Sequence, residues 1–234
     1  MSEVIGIPPW LVNDPRCVLY LRGEAPDGNT RIRDWSQSHK TVTVHGDVHN
    51  STTQTKFPPA SIYFDGIGDY LSLADSPDWY FGAGNFTIST WLDCASLPSS
   101  ENSVFILNQR PDVNNTQSIQ LVNTGGVYSL LYNCYVSGTE IIRVNKNISI
   151  TANSRNHATL VRDIDGFKFF FNGVQAGDTT TSSATIGDFS ANLDIGRWSG
   201  DGSYYAGFFD EFAIWKGWAI PIEKLYPQYR RFVV

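Results

Sequence analysis

Residues 61–93 read SIYFDGIGDYLSLADSPDWYFGAGNFTISTWLD, and the pattern of this stretch decides the fold. Ser61 to Asp65 alternates around Ile62 and Phe64, Gly66 and Gly68 punctuate a tight reversal, and Tyr70 to Leu73 alternates again. Phe86, Ile88 and Leu92 then share one face of a longer run. Side chains of a strand point to opposite faces in turn, so alternation over runs this short is what a half-buried antiparallel sheet requires. The spacing predicts three strands joined by turns.

Outward from this stretch the same rhythm continues. Strands are expected at 18–21, 41–44, 104–108, 117–122, 127–132 and 140–144, separated by polar or Gly-containing turns such as Asn123-Thr124-Gly125-Gly126. HATLVR (157–162) and FKFFFNG (167–173) flank the turn DIDG (163–166), and two more strands are expected around 193–196 and 206–215. Regular short strands argue for a sandwich or barrel over helical layers. The first sixteen residues carry Pro8, Pro9 and Pro15 without periodicity, which predicts an extended arm (1–16) ahead of one domain (17–234), an arm able to dock on a neighbour. Pro221 suits the first turn of a short C-terminal helix reaching towards Tyr229.

The order FDG, then GDYL, then DSPDWYFGAGNFTISTW closely resembles the opening of laminin-G-like domains of the concanavalin A-like lectin/glucanase group. The hairpin at 157–173 resembles that family's internal H-x-A-x-V-R signature, and LDIG (193–196) and AGFFDEFAIW (206–215) resemble its closing strands. The segment GEAPDGNTRIRDWSQSHKTVTVHGDV (23–48), with its D-x-S at Asp34 to Ser36, is similar to the family's start, so the resemblance covers about residues 18–230. It implies an all-β fold, a jelly-roll sandwich of two antiparallel sheets.

Composition narrows the function. A chain of 234 residues fits a single all-β unit, and 41% hydrophobic residues with 14% aromatics supply an ample core. A net charge of −6 gives no electrostatic footprint for nucleic acid or an anionic membrane, and no apolar run is long enough to span a bilayer. The start MSEVIGIPPW has neither a basic n-region nor an apolar core, so synthesis in the cytosol without a signal peptide is expected. Cys17, Cys94 and Cys134 lack metal-site spacing and sit in apolar contexts; buried thiols are expected, with a Cys94–Cys134 bridge as the alternative.

The family that the chain resembles includes glucan hydrolases. Glycoside hydrolysis needs two acids facing one cleft, and the chain has no E-x-D-x-E or D-x-D-x-E run; Asp163 and Asp165 belong to a hairpin turn. His39, His45 and His49 form a loose trio with no cysteine or acid completing a zinc set. No enzyme is therefore expected.

Two binding sites are expected instead. Alternation in FFDEFAI (208–214) places Asp210 on one face with Phe208, Phe212 and Ile214, and a carboxylate there needs a partner. The resemblance implies that partner to be Ca²⁺ held by Asp34 and Asp210; the alternative is settlement by Arg31, Arg33 or backbone amides. The second is a glycan site in WSGDGSYY (198–205), where Trp198, Tyr204 and Tyr205 offer rings for stacking and Asp201 offers a planar acceptor. Trp79 and Tyr80 form a weaker patch, and either group could instead cover the sandwich edge or meet a partner subunit.

The wording of KFPPASIYFDGIGDYLSLADSPDWYFGAGNFTISTW (56–91) and DEFAIWKGWAIP (210–221) also resembles laminin-G-like domains of bacteriophage structural proteins. That resemblance implies a non-enzymatic virion protein, a capsid decoration or tail component. It would sit on the virion surface as a homo-oligomer, contact other capsid or tail proteins, and bind host or environmental glycans. A purely structural cement protein is the alternative.

Overall fold

The structure, a computed structural model, describes residues 9–200 and 202–225. Among them fifteen strands follow in chain order. The first five are β1 (Cys17–Leu21), β2 (Val42–His45), β3 (His49–Ser51), β4 (Ser61–Asp65) and β5 (Tyr70–Leu73). The next five are β6 (Phe86–Cys94), β7 (Asn102–Asp112), β8 (Asn115–Thr124), β9 (Val127–Val136) and β10 (Thr139–Asn147). The last five are β11 (Arg155–Asp163), β12 (Gly166–Phe171), β13 (Val174–Gln175), β14 (Leu193–Ile195) and β15 (Ala206–Lys216).

They form two antiparallel sheets packed face to face. One has the order β13-β12-β11-β6-β15-β4-β3 with β1 also on β15; the other runs β10-β9-β8-β7-β14-β5-β2. Both alternating segments of the deciding stretch take part, β4 in the first sheet and β5 in the second. The reversal at Gly66 and Gly68 thus carries the chain from one layer to the other, and both glycines have positive φ. Between the sheets lies a core that includes Phe64, Phe86, Leu92, Phe209 and Phe212 from one layer and Leu71, Leu107, Ile119, Tyr132 and Ile195 from the other. Each such side chain contributes roughly 1.5–3 kcal/mol on leaving water.

A second, smaller cluster covers the outside of the first sheet. Leu11, Val12, Cys17, Tyr20, Ala213, Trp215, Ile220 and Leu225 are all buried in it. Residues Pro9–Val12 form a helical turn, α1, so this part of the expected arm is not extended. It docks on its own domain, because Leu11 and Val12 complete the apolar cover over Trp215; residues 1–8 lie outside the described set. The C-terminal helix, α2, spans Ile222–Leu225, and the expected continuation to Tyr229 also lies outside that set.

Strand β15 departs from the alternation read in the sequence. Its pairing with β6 shifts register between Asp210 and Ala213, and Glu211 has φ 51°, the signature of a bulge. One inserted residue reverses the parity of everything beyond it. Phe209, Phe212 and Ile214 therefore face the core, while Asp210 leaves that face and the expected grouping of Asp210 with Phe212 and Ile214 does not form. The bulge sits where β15 changes neighbours, from β4 at Ala206–Phe209 to β1 at Phe212–Trp215.

Cys17, Cys94 and Cys134 are buried thiols, and no bridge joins Cys94 to Cys134. Burial pushes the Cys94 thiol up to about 12 and that of Cys134 to about 11, so both stay protonated and inert.

Candidate functional site

The outward face of the seven-stranded sheet carries a continuous polar row. Cross-strand neighbours run Thr43, Ser72, Asp194, Asn108, Ser118, Asn133 and Arg143, one from each strand from β2 to β10. Each is flanked in its strand by residues that turn to the core, such as Leu71 and Leu73 around Ser72 and Leu193 and Ile195 around Asp194. The row is knitted together: Ser118 Oγ donates to Asn133 Oδ1 at 2.6 Å, and Gln120 Nε2 donates to Ser118 Oγ at 2.8 Å.

The loop after β14 roofs one part of this row. It closes as a small hairpin, with Trp198 N–H donating to Ser203 O at 2.9 Å and Tyr205 N–H to Gly196 O at 2.8 Å. Arg197 Nε donates to Asp194 Oδ2 at 2.8 Å, and Ser199 Oγ donates to Asn108 Oδ1 at 2.8 Å. Burial raises the Asp194 pKa, and the Arg197 guanidinium opposes that rise. Tyr70 is held between two groups: His45 stacks at 3.9 Å and Arg197 lies 3.7 Å from the ring centroid, which places them on opposite faces.

The expected glycan residues fare unequally. Trp198 is half-buried, stacked on Phe105 at 4.6 Å with the Arg110 guanidinium 4.9 Å away, so part of its ring is already used. Tyr204 is half-buried, with its ring 6.3 Å from Tyr70. Asp201 lies outside the described residues. Tyr205 is a correction: it is 1% exposed and stacks on Phe209 at 4.1 Å inside the core, so it presents no ring to a ligand. Alternation in the closing hairpin turns Tyr204 outward and Tyr205 inward. Of the weaker patch, Trp79 is fully buried and Tyr80 exposed.

The expected calcium pair is also corrected. Asp34 Oδ1 accepts from the amides of Tyr20 and Ser36, each at 2.9 Å, and Oδ2 accepts from Ser36 Oγ at 2.9 Å and Lys40 N at 2.8 Å. Asp210 Oδ2 accepts from the amides of Lys56 (3.2 Å) and Phe57 (3.0 Å), and Oδ1 from Glu211 N at 3.0 Å. Amide donors aimed at these oxygens occupy the directions a cation would need, so the residues do not fit Ca²⁺. Asp210 instead caps amides of the loop before β4, at Lys56 and Phe57, and of the bulge in β15, at Glu211.

Among the described residues, the acids able to gather round an ion are Asp47, Asp65 and Asp69, whose carboxylate atoms lie within 4.8 Å of one another. Asp69 is buried, and its oxygens already accept the amides of Asp47 (2.7 Å) and Asp65 (2.8 Å). The trio is a clamp between two turns. Ser89 Oγ lies 2.8 Å from His157 Nε2, but both are buried under Trp91 and burial pushes the imidazole down to about 3, a structural pairing.

Burial, then the neighbouring Glu211, pushes the Asp210 carboxyl up from 3.8 to about 8. The unfolded chain then loses this proton first, so the folded state binds more protons across that window and stability falls as pH rises through it. His157 acts with the opposite sign between about 3 and 6.5, where the unfolded chain binds more protons and stability rises with pH. In Asp210→Asn the fall attributable to Asp210 is expected to vanish, so the variant gains on the wild type between pH 4 and pH 8. Urea titrations at several pH values check this; a constant difference between the two proteins would refute it.

Two face-to-face antiparallel sheets in this strand order define a lectin-type jelly roll. The chain belongs to the concanavalin A-like lectin/glucanases superfamily, whose Laminin_G_3 family model matches residues 64–219. No curated protein sequence matches the chain. Among solved structures it is similar to the binding domain of Paraclostridial Mosquitocidal Protein 1, with TM-score 0.71, 15% identity, and coverage of 92% of this chain and 52% of that one. It is similar to the binding domain of Botulinum Neurotoxin DC in complex with SialylT, with TM-score 0.69, 16% identity, and coverage of 93% and 52%. It is also similar to domain 4 of AbnA, a GH43 extracellular arabinanase from Geobacillus stearothermophilus, in complex with arabinotriose: TM-score 0.66, 16% identity, coverage 92% and 98%. The chain spans about half the length of the two toxin binding domains and nearly all of the arabinanase domain. At these identities the likeness is one of fold.

Proposed function

We propose that the chain is a non-enzymatic, lectin-like module that binds glycans along the polar row of the seven-stranded sheet, beside the loop carrying Trp198 and Tyr204. The row itself carries this reading. Its seven side chains, one per strand, include both donors and acceptors, which a sugar's hydroxyl groups use alike; Ser72, Asp194, Asn108 and Ser118 are buried within it, and Thr43, Asn133 and Arg143 remain open to a ligand. A domain of the same fold, matched over nearly its full length, is known in complex with arabinotriose. Two of the similar structures are toxin binding domains, which supports a module that binds without reacting.

A glycan array probed with the wild type, Tyr204→Ala and Asn133→Ala tests it. Loss of the Tyr204 ring is expected to weaken retention roughly three- to tenfold, the worth of an aromatic contact of about 0.5–1.5 kcal/mol. Retention unchanged in both variants would remove this face from the site.

The setting on a phage particle, as a capsid decoration or tail component among other virion proteins, rests on the sequence resemblance of 56–91 and 210–221. Mass spectrometry of purified particles, together with genes for capsid or tail proteins beside this one, tests it. The cement alternative is favoured by Trp10, half exposed beside the docked terminal segments. A multimer on sizing with no glycan retention would select it over adhesion.

A further inference from the structure

On the opposite sheet, where β1 runs alongside the end of β15, lies an open cleft of about 390 Å³ lined by Asn13, Tyr20, Arg22, Glu24, Trp35 and Pro59 among others. We propose that this cleft is a second ligand site, separate from the polar row, and that it takes one ring of a neutral saccharide.

Three observations point to that class. Trp35 is 40% exposed, whereas Trp79 and Trp215 are fully buried, so this indole is not spent on the core; the Arg33 guanidinium lies 5.7 Å from its ring, and the residue lines the cleft. Arg22, half-buried in the wall, hydrogen-bonds the Tyr20 side chain and, at 3.4 Å, Pro58 O, and with five N–H groups its guanidinium keeps donors for a ligand in the cleft. Glu24 across the cleft is paired only loosely, to Arg33 Nε at 3.6 Å. The floor is rigid, because the Tyr20 hydroxyl donates to Glu211 Oε2 at 2.6 Å.

Charge then selects among ligands. A guanidinium only donates and a carboxylate only accepts, so a ligand meeting both must do both, as vicinal hydroxyls do. An acidic ligand would face Glu24 with Glu211 behind Tyr20, and an amine would face Arg22 with Arg33 close by. A neutral polyol meets neither penalty. The volume lies at the small end of ligand clefts, which suits a single ring packed on an indole.

Saturation-transfer NMR on the full chain, with methyl glycosides of glucose, galactose, mannose, N-acetylglucosamine and arabinose, tests the site, with glucuronic acid and glucosamine as charged controls. At least one neutral glycoside is expected to bind. Trp35→Ala should weaken it roughly five- to tenfold, Glu24→Gln should weaken it too, and Tyr204→Ala should leave it unchanged. No neutral binder, preference for a charged control, or binding that survives Trp35→Ala would overturn the proposal. Loss in Tyr204→Ala but not in Trp35→Ala would assign the sugar to the polar row alone.

Discussion

Replacing Trp215 by alanine is expected to lower the free energy of unfolding by about 3–5 kcal/mol, the usual cost of emptying a large buried aromatic site. Trp215 is fully buried, and its Nε1–H donates to Leu11 O at 3.0 Å. It stands at the centre of the smaller cluster, where residues from both ends of the described chain meet: Leu11 and Val12 on one side, Ile220 and Leu225 on the other. Truncation would leave a cavity that these short segments cannot refill, and would free the Leu11 carbonyl. Chemical denaturation followed by far-UV circular dichroism reads the loss, and proteolysis within residues 9–16 should quicken alongside it. Trp215→Phe separates packing from hydrogen bonding. It should recover most of the stability and lack only about 1 kcal/mol for the lost bond. A Trp215→Ala loss under about 1 kcal/mol would mean that the terminal segments do not depend on this anchor.

Gly207→Ala is expected to cost about 3 kcal/mol or more, combining backbone strain with a clash that no rotamer relieves. Gly207 has φ 140°, a conformation that residues with a side chain rarely adopt. A Cβ there would overlap the carbonyl oxygen of Asp93 and lie 3.0 Å from the amide nitrogen of Ala95. Those atoms belong to the backbone that β15 must approach, since Gly207 pairs with Cys94 on one side and Phe64 on the other. Moving β15 away would also loosen Tyr205 and Phe209, which stack on each other in the core. Gly28→Ala is the control: its φ is 76°, yet nothing lies within 4 Å of the added carbon, so only the backbone cost of about 1–2 kcal/mol applies. Equal midpoints for the two variants in thermal or urea unfolding would show that the close approach at Gly207 is not needed.

Strand existence was legible from local pattern because a half-buried strand writes its alternation into consecutive residues. Ile62 and Phe64 face the core as their spacing predicts, and DIDG (163–166) turns between β11 and β12. The two-residue β13 and the three-residue β3 were missed, being too short to show a period. The sites were less legible. Tyr204 and Tyr205 look alike in sequence, and only the hairpin that closes on Gly196 sends one outward and the other into the core. The sequence marks Asp210 as an acid needing a partner, with backbone amides among the alternatives, and reaches Asp34 only through the resemblance; the amides of Tyr20, Lys40, Lys56 and Phe57 that bind the two are distant or irregular backbone.

By itself, then, the sequence determined the all-β class, the family and the turns, since each rests on residues near one another in the chain. Tertiary structure alone decided three things: the parity change at Asp210 and Glu211, the row from Thr43 to Arg143, and the cleft that joins Trp35 to Arg22 and Glu24. Each depends on register between strands far apart in the chain. A single inserted residue reverses which side chains a strand presents, and local periodicity carries no record of where the neighbouring strand begins.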